Sequence, residues 1–484
     1  MDTYDLIVKN ADIATSGDRY QADIGIRDGR IVAIAKDLSG EAGEVIDALG
    51  RLVTPGGVDG HVHLDQPTSD GAVFSDDFFT GTRSAACGGT TTVIPFAAQQ
   101  KGHSLQEAVD DYHRRADGKA VIDYAFHLIV SDATHTVTRE ELPRLIGQGY
   151  TSLKIYMTYD DLKLDDRQII EVLATARQHG AMTMVHAENS DCIGWLTEHL
   201  LAAGLAAPSY HGNSRPMVVE REATHRAIAL SELVDTPILI VHVSGQEAVE
   251  QIHWARGRGL PIYAETCPQY LFLSADDLQP QGDDHAHGMR CICSPPPRDK
   301  GNQQVIWNGL ANGLFTIVSS DHAPFNYYGP QGKRLAGEQA PFNQVPNGIP
   351  GVETRLPLLL SEGVLGGRID IHRFVELTST NPARLYGLYP KKGTIAVGSD
   401  ADLVVWNMFE PGQEQVLTHA MLHSACDYTP YEGQNLRCWP ALTLSRGRMV
   451  WRDGVFMAQA GDGQFQPCLR PREPVAGSPL AKWL

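Results

Sequence analysis

The amino-acid sequence predicts an α/β fold: a (β/α)8 barrel of the TIM type with a small β-sandwich domain built from both chain ends. Three observations carry this expectation. Eight apolar, strand-like runs, each followed by an amphipathic helical stretch, recur at a spacing often near 30 residues. Alternating β and α with uniformly apolar strands implies a buried parallel sheet. Short alternating strands crowd instead at the two ends, and 484 residues are enough for one large barrel and an accessory.

In chain order, the first stretch reads as strands Tyr4–Val8, Ala22–Ile26 and Arg30–Ala35, with Asp28-Gly29 as the hairpin turn between the last two. The eight barrel runs are Gly57–His63, Thr90–Phe96, Ile122–Val130, Ser152–Met157, Ala181–His186, Ile238–Val243, Pro261–Thr266 and Thr316–Asp321. Alternating strands return at Asp402–Trp406 and Arg448–Trp451, the second followed by an Asp453-Gly454 turn. The expected division is a sandwich from residues 1–54 plus 390–459, a barrel over 55–389 and a tail over 460–484 that has no place in either. An open doubly wound sheet is the alternative. No G-x-G-x-x-G follows the first strand, however, and Gly332-Lys333 is followed by Arg334, which does not support a phosphate loop.

Composition narrows the function. With 40 basic against 58 acidic residues the formal charge is -18, which repels a nucleic-acid backbone or an anionic membrane. A hydrophobic fraction of 42% without long low-complexity tracts excludes disorder. No window approaches the ~18 apolar residues of a membrane span. Asp2 and Asp5 stand where a signal peptide would carry basic residues. Eight scattered cysteines without a C-x-x-C give no disulfide framework, so the expected compartment is a reducing cytoplasm.

Barrel active sites lie at the C-terminal strand ends. There the sequence places His61-Val62-His63, Lys154, His186, His242 and Asp321. Residues i and i+2 of a strand share a face, so His61 and His63 point at one metal. The motif alone is weak: 19 histidines in 484 positions give about 0.75 H-x-H by chance, and the chain has two. The second, His285-Ala286-His287, sits among Asp and Gly and reads as solvated loop. His186 or His242 alone reads as a structural histidine, but six positions at one barrel mouth make a coherent metal site. Lys154 needs its own account, because an ammonium repels cations. Desolvated beside metal ions its pKa falls, and the neutral amine adds carbon dioxide to become a carbamate with two oxygens suited to bridging. Cys291 and Cys293 lack a second pair and read as inert thiols.

The segments Val58-Asp59-Gly60-His61-Val62-His63, Ser152-Leu153-Lys154-Ile155-Tyr156-Met157, Val185-His186-Ala187-Glu188-Asn189, Val241-His242-Val243-Ser244 and Ser320-Asp321-His322-Ala323-Pro324-Phe325 resemble the signature segments of the amidohydrolase superfamily, and within it the dihydropyrimidinase and hydantoinase family. The resemblance implies one divalent metal on His61, His63 and Asp321 and another on His186 and His242, bridged by carboxylated Lys154. These donors suit Zn2+, and nearly as well Mn2+ or Co2+. Two such metals share a hydroxide at neutral pH that serves as nucleophile. Asp321 then has a second role, carrying a proton from the nucleophile to the leaving nitrogen. Tyr159 matches the family tyrosine that donates to the oxyanion, and Ser294 and Asn347 match residues whose backbones bind a cyclic imide.

Two departures bear on the substrate. Asp65 stands where dihydroorotases carry an arginine for the substrate carboxylate, and Gln66 and Ser69 stand where many hydantoinases are more apolar. The expected function is a cyclic amidohydrolase that opens dihydropyrimidine or hydantoin rings to N-carbamoyl amino acids. An allantoinase or cyclic-imide hydrolase would use the same machinery. A non-catalytic interaction protein resembling the collapsin response mediator proteins is disfavoured by the six retained ligands. The resemblance also implies a homotetramer, small neutral cyclic ureides or imides as substrates, and no nucleic-acid or membrane partner.

Overall fold

A computed structural model describes residues 3–470 apart from Asp283. Five strands open it: β1 (Thr3–Ala14), β2 (Arg19–Arg27), β3 (Arg30–Ala35), β4 (Glu41–Asp47) and β5 (Leu52–Pro55). The Asp28-Gly29 turn joins β2 to β3 as expected. Both residues are left-handed, at φ 52° and 74°, as a two-residue hairpin matched to strand twist requires.

The barrel follows as β6 (Gly57–Val62), β7 (Thr90–Ala98), β8 (Asp123–Tyr124), β9 (His127–Ile129), β10 (Ser152–Tyr156), β11 (Met182–His186), β12 (Ile238–Ile240), β13 (Ile262–Thr266) and β14 (Ile317–Val318). Their order around the ring is β14-β13-β12-β11-β10-β9-β7-β6, and the paired strands are parallel. A parallel bridge between Val62 and His322 brings β6 to the chain beyond β14 and completes the ring. All eight runs seen in the sequence are barrel strands; the third, Ile122–Val130, is divided into β8 and β9. β6, β10 and β11 are buried at every residue, which is why they read as runs without alternation.

After the barrel come β15 (Leu403–Met408), β16 (Gln415–Val416), β17 (Asn435–Leu436), β18 (Cys438–Ser445), β19 (Arg448–Arg452) and β20 (Val455–Phe456). One mixed sheet unites the chain ends in the order β20-β19-β18-β15-β5-β1-β2-β3, with β4 also on β1. β1 pairs first with β4 and then with β5, and its register against β2 shifts between Val8 and Ala11, the mark of a bulge. Leu6, Val8, Ile13 and Ile24 meet Leu403, Val405, Leu442 and Leu444 in a core separate from that of the barrel.

Two segments differ from expectation. Residues 415–436, within the stretch expected for the sandwich, send Leu417, Tyr428, Tyr431 and Leu436 into a cluster with Cys291, Ile292 and Ile349 on the barrel. The tail also has a place on the barrel over residues 460–470. Phe465 packs its ring against His113, Phe126 and Tyr150, and Gln466 N–H donates to Tyr124 O at 2.7 Å. One aromatic in a polar stretch was too little periodic signal to predict this. Residues 471–484 lie outside the described ones. No described helix is long and apolar enough to cross a membrane.

Candidate metal centre and substrate pocket

The barrel topology brings the predicted residues to one mouth. His61 lies near the end of β6, His63 just beyond it, Lys154 within β10 and His186 at the last position of β11. His242 and Asp321 follow β12 and β14 by two and three residues. All six line a cavity of about 1130 Å3, as do Tyr159, Ser294 and Asn347. His61 Nε2 and His63 Nε2 lie 3.2 and 3.5 Å from Asp321 Oδ1. His186 Nδ1 lies 2.9 Å from His242 Nε2, and Lys154 Nζ 3.5 Å from His61 Nε2.

Three imidazoles are oriented from behind. His61 Nδ1–H donates to Glu265 Oε2 at 3.0 Å, His63 Nδ1–H to Gln66 Oε1 at 2.7 Å, and His186 Nε2–H to Glu188 Oε2 at 2.8 Å. Each bond fixes the tautomer and leaves the opposite nitrogen as a lone pair facing the cavity, the disposition of metal-binding histidines. Arg215 Nη1 in turn donates to Glu188 Oε2 at 2.6 Å, and its guanidinium lies 5.4 Å from the Tyr159 ring. Arg215 and Glu265 were not singled out in the sequence, Glu188 stood only within a quoted segment, and Gln66 was noted for the substrate loop rather than as a partner of His63. Glu188, two residues after His186, and Glu265, a carboxylate inside an apolar strand, were the available signals.

Electrostatics agree with this disposition. Burial, helped by the Lys154 charge, lowers the pKa of His61, and burial likewise lowers those of His186 and His242, so the rings are neutral ligands. Burial pushes the Asp321 carboxyl up, but the His61, His63 and Lys154 nitrogens around it, His63 by hydrogen bonding, outweigh burial and bring it below its ordinary value. Lys154 is fully buried between the Phe96 and Tyr156 rings, each 5.1 Å away, and has no ion pair within 4 Å among the described residues. Burial lowers its pKa. A buried ammonium whose hydrogen-bond partner is an imidazole is poorly placed. The donor set therefore fits divalent cations, with Lys154 uncharged.

Tyr159, His242 and Asp321 occupy left-handed backbone, at φ 67°, 39° and 49°. Such non-glycine conformations cost about 1–3 kcal/mol each and concentrate at functional sites. Burial raises the Tyr159 phenol to about 12, so it is a hydrogen-bond donor at neutral pH. Ser294 Oγ donates to Asn347 Oδ1 at 2.8 Å, tying the two predicted ring-binding segments together.

One expectation is corrected. Asp65, in left-handed backbone at φ 48°, pairs with Arg115 at 3.0 Å and is not among the residues lining the cavity, so its carboxylate is already committed to a cation. Gln66 does line the cavity, but its carbonyl is committed to His63. A second cluster, Cys87, Glu353 and His423, lies apart from that cavity lining. Its carboxylate is already engaged by Ser84 Oγ at 2.9 Å and His423 Nδ1 at 2.7 Å, and burial keeps the Cys87 thiol protonated.

A closed parallel barrel carrying a buried imidazole and carboxylate cluster at its C-terminal mouth defines a metal-dependent hydrolase of the amidohydrolase kind. The Amidohydrolase family model matches residues 52–220 and 239–450. The chain is 45% identical over 461 residues to the D-hydantoinase of Geobacillus stearothermophilus, covering 95% of each chain. It is 43% identical to the D-hydantoinase of Rhizobium radiobacter, covering 96% of this chain and 98% of that one. The crystal structure of dihydropyrimidinase from Brevibacillus agri NCHU1002 superimposes with a TM-score of 0.92 at 43% identity, over 97% of this chain and 99% of that one. The chain belongs to the amidohydrolase superfamily and, within it, to the dihydropyrimidinase and hydantoinase family.

Proposed function

We propose that the cavity hydrolyses one cyclic amide bond of a dihydropyrimidine or hydantoin ring, releasing an N-carbamoyl amino acid. The observation that carries this is the convergence of His61, His63, Lys154, His186, His242 and Asp321 on one cavity in a chain of this family. His61, His63 and Asp321 would hold one divalent cation and His186 and His242 a second, with Lys154, once carboxylated by carbon dioxide, supplying a further anionic ligand; Zn2+ suits these donors best. When bound, the cations supply an activated water at neutral pH and polarise the amide carbonyl.

The remaining steps belong to the chain's own residues. Backbone groups at Ser294 and Asn347 pair with the neutral ring and orient the scissile bond. Tyr159 Oη–H donates to the oxygen on which charge develops, a contribution of a few kcal/mol for a preorganised donor. Asp321 takes the proton of the attacking water and returns it to the ring nitrogen as the bond opens. A substrate carboxylate finds no arginine among the described lining residues. The rim cation Lys101 already donates to Asp160 O at 2.6 Å.

The same reading places the enzyme in a reducing cytoplasm, which its eight free thiols support. It also makes the enzyme a homotetramer. The helix Ser190–Ala202 supports assembly: Ile193 is its one buried residue and Trp195 is 59% exposed. Sedimentation of a monomer at micromolar concentration would remove the assembly claim alone. The chemistry is tested by turnover of dihydrouracil, 5-substituted hydantoins, allantoin, succinimide and dihydroorotate, with metal analysis of the same sample. Neutral rings should lead dihydroorotate by at least ~100-fold in kcat/KM, since an unpaired buried charge costs several kcal/mol. Comparable turnover of dihydroorotate would refute this account of the pocket.

A further inference from the structure

The Gly332-Lys333 pair that fails as a phosphate loop has another use. Lys333 is fully buried, with no carboxylate within ion-pair distance among the described residues. Its Nζ donates to Ile292 O at 2.7 Å and to Pro346 O at 2.7 Å. These carbonyls belong to two segments far apart in sequence, one running into Ser294 and the other into Asn347. Gly348 N–H also donates to Ile292 O, at 3.1 Å, and Ser294 Oγ closes the same junction on Asn347. The lysine itself is anchored by Lys333 N–H donating to Asn326 O at 2.8 Å. The preceding turn tolerates only glycine, because a Cβ on Gly332 would lie 1.8 Å from that same oxygen.

Both segments are proline-rich, at Pro295, Pro296, Pro297 and Pro346, so they offer few N–H groups with which to fix one another. Buried carbonyls must nevertheless find donors. One amino group bonded to a carbonyl from each side sets the separation of the two segments. A side chain without donors cannot reproduce it, and a shorter one reaches only part of the way.

We propose that Lys333 is a positioning residue that holds the backbones around Ser294 and Asn347 in register for the substrate ring. This rests on the reading in which those backbones bind the ring. Lys333 touches neither the metal ligands nor the proposed proton carrier. Its loss therefore falls on ring binding rather than on the chemical step.

The test uses the fully metallated enzyme with dihydrouracil, alongside hydrogen exchange of peptides covering residues 291–294 and 345–348. Lys333→Met should raise KM at least ~10-fold while kcat changes less than ~3-fold and two metals per chain are retained. Exchange in both peptides should quicken. Lys333→Arg, which keeps donors, should return KM to within ~3-fold, and Lys333→Gln, with one shorter donor group, should fall between and serves if the Met variant does not fold. Unchanged exchange would overturn the brace. Quickened exchange with an unmoved KM would also overturn the proposal, and would place the fault in the ring-binding role of Ser294 and Asn347. A fall in metal content or kcat with KM unmoved would show that the lysine acts elsewhere.

Discussion

Lys154 and Asp321 face the same space with opposite requirements. Lys154 is buried without an ion pair and cannot rest comfortably as an ammonium, whereas the Asp321 carboxyl is held below its ordinary value despite its burial. If Lys154 supplies the bridging anion, Lys154→Ala should lose most bound metal and activity, and small carboxylic acids should partly restore turnover. Retention of two metals at a normal rate in that variant would remove the bridging role. Asp321→Asn keeps the shape but not the proton acceptor, so a metallated variant should turn over at least ~100-fold slower with little change in KM. Rapid turnover by that variant would assign the proton transfer to another group. These residues were legible in the sequence because each lies in or just after an apolar barrel run, within a short motif. Their supports were not: Glu265 reaches His61 across 204 residues, and no local pattern reports such a pairing.

At the scale of elements, the strands were legible because full burial on both faces leaves uninterrupted apolar runs, and the two Asp-Gly turns because left-handed backbone restricts residue choice. The loops that shape the pocket were not, since proline-rich segments take their geometry from distant partners. Lys333 makes this measurable. Burial lowers its pKa to about 7, despite the facing thiols of Cys291, Cys293 and Cys426. An unfolded lysine titrates near 10.4. Between these values the unfolded chain binds one more proton than the folded one, so this group adds stability as pH rises and loses it as pH falls through about 7. The stability difference between the native chain and Lys333→Met should therefore shift in favour of the native chain between pH 7 and 9. The shift should be at most about 1.4 kcal/mol per pH unit. Denaturant titrations at both pH values measure it. A difference independent of pH would mean that the lysine is charged in the fold.

The whole molecule is held together where barrel, end-built sheet and tail segment meet, away from the chemistry. Lys392 is fully buried and pairs with Asp123 at the start of β8 (2.6 Å), with Asp402 just before β15 (2.8 Å) and with Asp400 (2.9 Å). Arg446, from the turn between β18 and β19, pairs with Asp123 at 3.0 Å, and Gln466 Nε2 donates to the same carboxylate at 3.0 Å. Three carboxylates in so small a space repel one another, and burial raises the Asp402 carboxyl even against the attraction of Lys392. The lysine is the cation common to all three. Replacing it by methionine leaves Asp402 without its cation, Asp123 with Arg446 alone and Asp400 with only the more distant, half-exposed Lys391 and Arg30 (3.8 and 4.0 Å), and breaking a buried pair from one side costs about 3–5 kcal/mol. Lys392→Met should therefore unfold at lower denaturant by that amount. Because the knot does not touch the metal ligands, metal content and kcat under native conditions should stay near those of the unsubstituted enzyme. A loss below about 1 kcal/mol would mean that water or a shared proton already screens the carboxylates, and that the domain junction is held by packing instead.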